Sequence, residues 1–574
     1  MAKIKPGKAN EKFVISEFGG IHQTSSLTGK SAWEMRNFRI TSDGALEKRT
    51  GTRTLFEFSD EIRGVWQGSL HGSDYLIVIS GPEVYVRLPG GSEPEFQHYL
   101  GTSLGNVSMV LYSNDLFLFD GQKIYRFDTA NNRFAESEGY IPLYGDGWNP
   151  SSRGPVHQPL NMLSSKLIIR YDNSTAGTTF FSLPFACSSI VGMTVDGVAV
   201  TNYSFTANTS WFTIPSQYAH GILTVALTAP ASYNQSARVK TMGKAFAFSD
   251  ARHNSLLLYG GPQKSKIAYS VPMSEEERAI SSFFFPSSDG LYLPADGMFT
   301  LADETHPVHA VFRDRDRAIA LSDRSAWALE FPANDRPVIY ALEGGTGCSV
   351  PGGVTLCGDD PIVIRNNGIF RLRFPSGESD ICIAEPLSQE VIEILPPSLL
   401  QNGILAWYPG REELWLRDPT ENEDGLVWIY SMKRKEWYCF DGLPIVSFFE
   451  LEGTVGFSTD ENCILLPDDT VYTDSGEPVS AYYCSQFIAF SSPETVKRAL
   501  RATVTADTGG QTMMVNIDSE SRSRSYLASS NLSDKPAFFD FNMTRGRFRM
   551  IRFVFSVTGD SRARIYRFSA FANP

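Results

Sequence analysis

One short unit recurs along the chain and limits what it can fold into. The unit has an acidic or polar entry, an apolar run of four or five residues, a polar turn, and a second run ending on an aromatic. It is clearest in DRAIALSDRSAWALEF at residues 316–331 and DPIVIRNNGIFRLRF at residues 360–374. Apolar runs of this length bounded by turn residues are the pattern of a half-buried antiparallel hairpin. The unit returns at residues 72–88, 113–127 and 254–271, and in looser form from Arg411 and from Glu461.

Most copies follow a further apolar run, such as IRGVWQ at Ile62, VSMVLY at Val107 or ILAWY at Ile404, so each repeat holds three or four strands. The entry acids Asp316, Asp360, Glu412 and Glu461 are spaced by 44, 52 and 49 residues. Four short strands repeating every 40 to 50 residues or so are the signature of β-propeller blades. One or two β-sandwiches are the alternative, since hairpins also recur inside a sandwich. The expectation is an all-β chain: a propeller platform of about six or seven blades, a small inserted β-sandwich, and a C-terminal β-sandwich or jelly-roll domain.

The expected order begins with an N-terminal arm and hairpin at residues 1–60, in which residues 31–37 read as a helical turn. Phe38 to Ile40 and Ala45 to Lys48 flank Ser42-Asp43-Gly44, a tight hairpin whose strands are candidates to close the propeller. Blades occupy residues 61–136, and a polar Gly- and Pro-rich linker follows at residues 137–159. Short alternating strands without blade spacing then mark the inserted sandwich at residues 160–235. Blades resume over residues 239–478, interrupted by two short helices at residues 275–281 and 386–395. Residues 479–574 form the C-terminal domain.

Charge is divided unevenly. The chain carries a formal net charge of −13, but from Val479 onward thirteen Lys or Arg face seven Asp or Glu, so this part is +6 and the rest −19. Such asymmetry points to docking on an acidic partner or to an oriented assembly. Arg547, Arg549, Arg562 and Arg564 lie in the basic–aromatic runs TRGRFRMIRF and RARIYRF, with Arg547 and Arg549 read on one strand face. No groove-entering module accompanies them, which argues against direct DNA reading.

The sequence offers little for chemistry. It contains no G-x-x-x-x-G-K-[ST], G-x-S-x-G, H-E-x-x-H or C-x-x-C. Of eight histidines only His306 and His309 are close in sequence, and no carboxylate or cysteine pattern completes a metal set around them. DPTENEDG at residues 418–425 is rich in acids but lacks the calcium-loop spacing and reads as a solvated hairpin loop. The seven cysteines follow no pairing motif and read as buried thiols. No catalytic, cofactor or metal residue is assigned and no enzyme activity is expected. No apolar run reaches the roughly 18 to 20 residues of a membrane span, and the start MAKIKPGKANEK has no secretory apolar core.

The opening segment carries a resemblance. Phe18, Gly19 and Gly20, then Met35-Arg36-Asn37, then the hairpin leading to Glu47-Lys-Arg-Thr-Gly51 match R-N-x-x-I followed by G-x-x-x-K-R-x-G. A second match begins at RHNSLLLYGGPQKSKIAYSVPM, residues 252–273, and runs to Leu329, with Asn254-Ser-Leu256 where Arg-Leu is the usual pattern. In these residues and in the order of parts the chain resembles the tail nozzle proteins of short-tailed bacteriophages, also called tail tubular protein B or phage stabilisation protein. The resemblance implies a homohexameric ring beneath portal and adaptor proteins. That ring extends the channel for double-stranded DNA and carries a needle, fibres or spikes, in a virion tail made in the host bacterial cytoplasm. Phe18, Gly19, Gly20, Arg36 and Asn37 join Arg547, Arg549, Arg562 and Arg564 as candidate interface residues. The competing reading is a receptor- or glycan-binding propeller, or a carbohydrate-active one; a WD-type scaffold is a weaker third, since no Gly-His or Trp-Asp signature repeats.

Overall fold

The computed structural model describes residues 11–23, 30–137, 139–249, 254–271, 291–301, 305–332, 337–344, 346–375, 380–421, 425–490, 492–497, 499–520, 522–529, 536–543 and 547–573. The chain divides into two compact units, one of residues 62–347 and 374–382, the other of residues 1–61, 348–373 and 383–574.

The repeated hairpin is the inner part of a four-stranded antiparallel sheet. In residues 308–341 the strand Arg317–Ser322 pairs with Val308–Asp314 on one side and Ala326–Glu330 on the other, and Val338–Ala341 completes the sheet. Ala318, Ile319, Ala320 and Leu321 are all fully buried, because this strand is covered on both faces as well as both edges. A continuous apolar run, rather than an alternating one, is what such a position requires. The same holds for Leu76 to Ile79, Leu256 to Leu258, and Ile362 to Ile364.

Seven such sheets occur among the described residues. The first unit holds four, over residues 62–99, 108–136, 244–300 and 308–341. Apolar clusters fill the gaps between them, with Ile77, Ile79, Leu116 and Leu118 in one and Leu257, Ile267, Ala318 and Phe331 in another. The second unit holds three, over residues 354–386, 404–440 and 445–468. The last of these has only three strands of its own. Its fourth is Gly51–Glu57, paired antiparallel with Cys463–Asp468. The fold is therefore the expected all-β propeller platform, and the strand that completes the last blade comes from the beginning of the chain.

The N-terminal hairpin does something else. Phe38–Ile40 and Leu46–Lys48 pair as expected, but Leu46–Lys48 pairs onward with Arg564–Asn573, as does Glu11–Ile15. The hairpin is thus part of the terminal sandwich, not the closure of the propeller. The stretch read as a helical turn is the strand Ala32–Arg36, which lies between Glu436–Phe440 and Glu477–Ser485. Its Ala, Glu and Met favour helix weakly, and pairing on two sides overrides that preference.

Of the remaining sandwich strands, Ala499–Asp507 lies between Arg564–Asn573 and Ala537–Met543, and Glu477–Ser485, Ile551–Gly559, Thr512–Ser519 and Ser523–Ser529 lie in the facing sheet. Phe553 and Phe568 stack 4.0 Å apart in its core. In the first unit the inserted sandwich begins earlier than its spacing implied: Leu143–Trp148, inside the stretch read as a linker, pairs with Lys166–Asp172, and Trp148 is buried in that domain's core. No helix forms over residues 386–395; a single turn at Leu399–Asn402 follows Pro396-Pro397. The prolines precede a helical turn rather than end one. The helix expected at residues 275–281 lies outside the described residues.

Candidate functional site

The residues of the opening motif converge on one buried node in the second unit. Asn37 is the hinge. It sits at φ 55, a left-handed conformation that Asn tolerates better than most residues, directly after the strand Ala32–Arg36. Its backbone N–H donates to the Cys439 carbonyl at 2.9 Å and its carbonyl accepts from the Arg49 N–H at 2.8 Å. Its side-chain Oδ1 accepts from Arg49 Nε at 2.8 Å and from the Asp441 N–H at 3.0 Å, while Nδ2 donates to the Ser480 carbonyl at 2.7 Å and to the Asp441 carboxylate. One buried amide thus ties three distant chain segments and satisfies both of its ends.

Arg49 extends the network. Its guanidinium forks onto Asp474, at 2.9 Å to Oδ1 and 2.5 Å to Oδ2, and also donates to the Asp441 and Thr50 carbonyls. A planar bidentate pair of this kind fixes geometry as well as charge. Next to it Arg39 makes a second fork, 2.8 and 3.2 Å, onto buried Glu413, whose oxygens also accept from Tyr438 Oη and Trp415 Nε1. Burial alone would lower the Arg39 pKa, but the charge and hydrogen bonds of Glu413 outweigh it and the net shift is upward. Burial, then the Glu413 carboxylate, pushes the Tyr438 phenol well up. Phe440 lies beneath both guanidinium groups, 4.8 Å from Arg39 and 5.5 Å from Arg49.

Two glycines of the motif have no room for a side chain. A Cβ at Gly51 would run into the Thr473 carbonyl, and one at Gly20 into the Trp437 carbonyl. The Gly20 N–H donates to Glu436 Oε2 at 2.8 Å, and burial holds that carboxyl above its ordinary range despite this bond. Phe18 packs edge-on against Tyr483 at 5.5 Å. Lys48, 1% exposed, sends its ammonium to the Gly559 carbonyl at 2.5 Å and to Gln511, and burial pulls its pKa down to about 8 despite nearby Asp560.

Of the nine candidate interface residues, Phe18, Gly19, Gly20 and Asn37 are buried inside the chain itself. They act within the molecule and present no surface. Arg36 is half-exposed and reaches Glu34 at 2.7 Å. Arg562 pairs with Glu47 at 2.7 Å and Arg564 with Asp43 at 2.5 Å, so the acidic partner of these two is the chain's own N-terminal hairpin. Arg547 and Arg549 are exposed but share no strand. The strand there is Ile551–Gly559, preceded by an isolated bridge between Phe548 and Lys497, and the Arg549 and Met550 N–H groups donate to Glu520.

Sequence reasoning found Gly20, Asn37, Arg49 and Gly51 as motif residues but not the acids they meet, Glu436 at Gly20, Asp441 at Asn37 and Asp474 at Arg49, nor the pair of Arg39 with Glu413; these acids look like ordinary turn or strand-edge residues. Of the residues weighed for metal binding, His306 Nδ1 lies 2.8 Å from Asp323, and burial and Lys244 lower the pKa of His309. Asp418 accepts from Thr420 at a turn, and residues 422–424 lie outside the described residues. Among the described residues no group of three His, Cys, Asp or Glu is placed to hold a metal, and no helix is long and apolar enough to cross a membrane.

The class defined by these sheets is a β-propeller platform with two sandwich domains. No family model matches the chain, and no curated protein sequence matches it. Among solved structures, the AfRom2 CNH domain aligns over 73% of this chain and 99% of its own with TM-score 0.34 and 6% identity. A chain of a mitotic checkpoint complex aligns over 72% and 92% with TM-score 0.32 and 8% identity. A chain from BBS1N in complex with ARL6DN aligns over 74% and 98% with TM-score 0.25 and 9% identity.

Proposed function

We propose that this chain is a structural component of a short-tailed bacteriophage tail, a ring-forming nozzle without catalysis. As a homohexamer it extends the channel for double-stranded DNA below the portal and adaptor proteins, and it holds the distal needle, fibres or spikes. It is made in the host bacterial cytoplasm and acts in the virion tail. It takes no cofactor, inserts into no membrane and reads no DNA sequence.

The observation that carries this reading is the node. A motif as degenerate as R-N-x-x-I with G-x-x-x-K-R-x-G has weight only when its members act together, and Asn37, Lys48, Arg49 and Gly51 do so around Asp441, Asp474 and the Gly559 carbonyl. Its work is mechanical, because it fastens the start of the chain to a blade and to the terminal sandwich. The charge division supports the same role: outside the last 96 residues the chain is −19, and a conduit passes DNA best when few cations hold its phosphates.

The test is negative-stain imaging and native mass measurement of the purified chain with its adaptor. Six-fold rings that bind the adaptor are expected. A strict monomer that ignores the adaptor, or sugar release from a polysaccharide, overturns the proposal.

A further inference from the structure

The inserted sandwich presents an aromatic platform that its fold does not need. Its three-stranded sheet consists of Phe180–Cys187, the central Thr209–Thr213, and Ser204–Phe205. Phe181 and Phe212 face inward, buried and stacked 5.1 Å apart, and serve the core. Alternation along a strand places their neighbours on the other face. That face carries Phe180 and Ser182 on the first strand, Trp211 and Thr213 on the second, and Ser204 on the third, following the pairs Phe180 with Thr213, Ser182 with Trp211, and Ser204 with Thr213.

Phe180 and Trp211 are 45% and 41% exposed, yet their rings stack 5.7 Å apart at 21°, forming one broad apolar plane toward solvent. Three hydroxyl side chains share the sheet face with it. Charge is sparse: between Asn173 and Gly221 the single Asp, Glu, Lys or Arg is Asp196, whose carboxylate accepts from the Ile222 N–H in a turn of the other sheet, and one cation, Arg153, follows Pro150, whose carbonyl accepts from the Ser182 N–H at the edge of the first strand. Among the described residues the other contacting pair with both rings exposed, Phe96 and Tyr99, is tilted at 55° on a strand that begins with Glu95.

We propose that Phe180 and Trp211 form a binding platform for a neutral saccharide. The C–H face of a pyranose ring is apolar and flat enough to lie on stacked aromatic rings, while its hydroxyls take hydrogen bonds from Ser and Thr. The lack of charge on the platform complements the lack of charge on the ligand. The two rings expose together roughly 200 Å², well below the ~800 Å² per partner that a stable protein interface needs. The scale is that of two or three sugar units, not of a second copy of the chain. This inference does not rest on the nozzle reading.

The test uses the full chain and a panel of neutral hexa- and heptasaccharides of glucose, mannose, galactose and xylose, read by tryptophan fluorescence and calorimetry. At least one is expected to bind, and Trp211→Ala is expected to weaken it by about tenfold or more, with Trp211→Tyr keeping most of the affinity because the ring survives. Phe180→Ser gives an independent reading should the Trp211 variant fold poorly. No binding across the panel, binding confined to anionic glycans, or binding that both variants leave unchanged overturns the platform. So does concentration-dependent self-association that Trp211→Ala abolishes, which would assign the surface to a second copy.

Discussion

The blades and the terminal sandwich are made from the same kind of strand, but they are assembled from different distances along the chain. A blade such as residues 308–341 joins strands two to seven or so residues apart in sequence, and its pairing is complete within about 35 residues. The terminal sandwich pairs Glu11 with Ala572 and Leu46 with Ile565, and the node joins Asn37 to Asp441 and Arg49 to Asp474. Local closure costs little chain entropy, whereas long closure costs more and must be secured by specific contacts. The buried forks of Arg39 and Arg49 and the crowded Gly20 and Gly51 stand at the long closures.

This contrast predicts unequal tolerance to equal changes. Gly51→Ala forces a methyl group into the Thr473 backbone and is expected to abolish soluble folded protein. Gly72→Ala, in a blade hairpin at φ +81 with open space around it, should cost only about 1 kcal/mol from backbone preference. Circular dichroism and soluble yield of the pair measure the difference, and comparable losses would remove the distinction.

The blades are legible in the sequence because a strand covered on both sides must be apolar throughout, as in Ala318 to Leu321. The long closures are not legible, because Asp441 and Asp474 carry no local sign that their partners lie hundreds of residues earlier. The strand Leu143–Trp148 was hidden by its own glycines, Gly145 and Gly147, and by the prolines around it. Gly145 makes room instead, since a Cβ there would meet the Trp148 ring, and Gly147 sits at φ +60 with open space around it. The basic excess after Val479 is plain in the sequence, but Arg562 and Arg564 pair with Glu47 and Asp43 of the same chain. A strand pattern cannot report that an acidic partner lies at the other end of the same chain.

Arg39→Met is the next largest expected effect. It leaves Glu413 buried without its cation, and such a loss costs about 3–5 kcal/mol. Urea unfolding followed by tryptophan fluorescence should register it, and Arg39→Met with Glu413→Leu should recover much of the loss, because replacing both partners leaves no stranded charge. If the double variant is as weak as the single, the pair matters for reasons other than desolvation.

Lys48 gives a smaller effect with a defined pH window. Its folded-state pKa of about 8 lies below the ordinary 10.5, so between these values the unfolded chain holds a proton that the folded chain has released. Stability therefore rises with pH across this window, by up to about 1.4 kcal/mol per pH unit for one group. Lys48→Met should flatten the rise, measured as the difference between the two proteins from pH 8 to pH 10. A parallel dependence in both would show that Lys48 does not titrate there. The smallest effect is expected for Arg562→Ala, whose partly exposed pair with Glu47 contributes less than about 1 kcal/mol.

The central claim is that the opening motif acts as one buried unit. Asn37 and Asp474 share the partner Arg49, and no bond between the two has to be assumed. A double-mutant cycle of Asn37→Ala and Asp474→Ala, read by urea unfolding, tests whether the network is single. The account predicts that the second loss is smaller once the first has occurred, with a coupling of about 1 kcal/mol or more. Losses that add to within about 0.5 kcal/mol would contradict it and return the motif to a set of independent contacts.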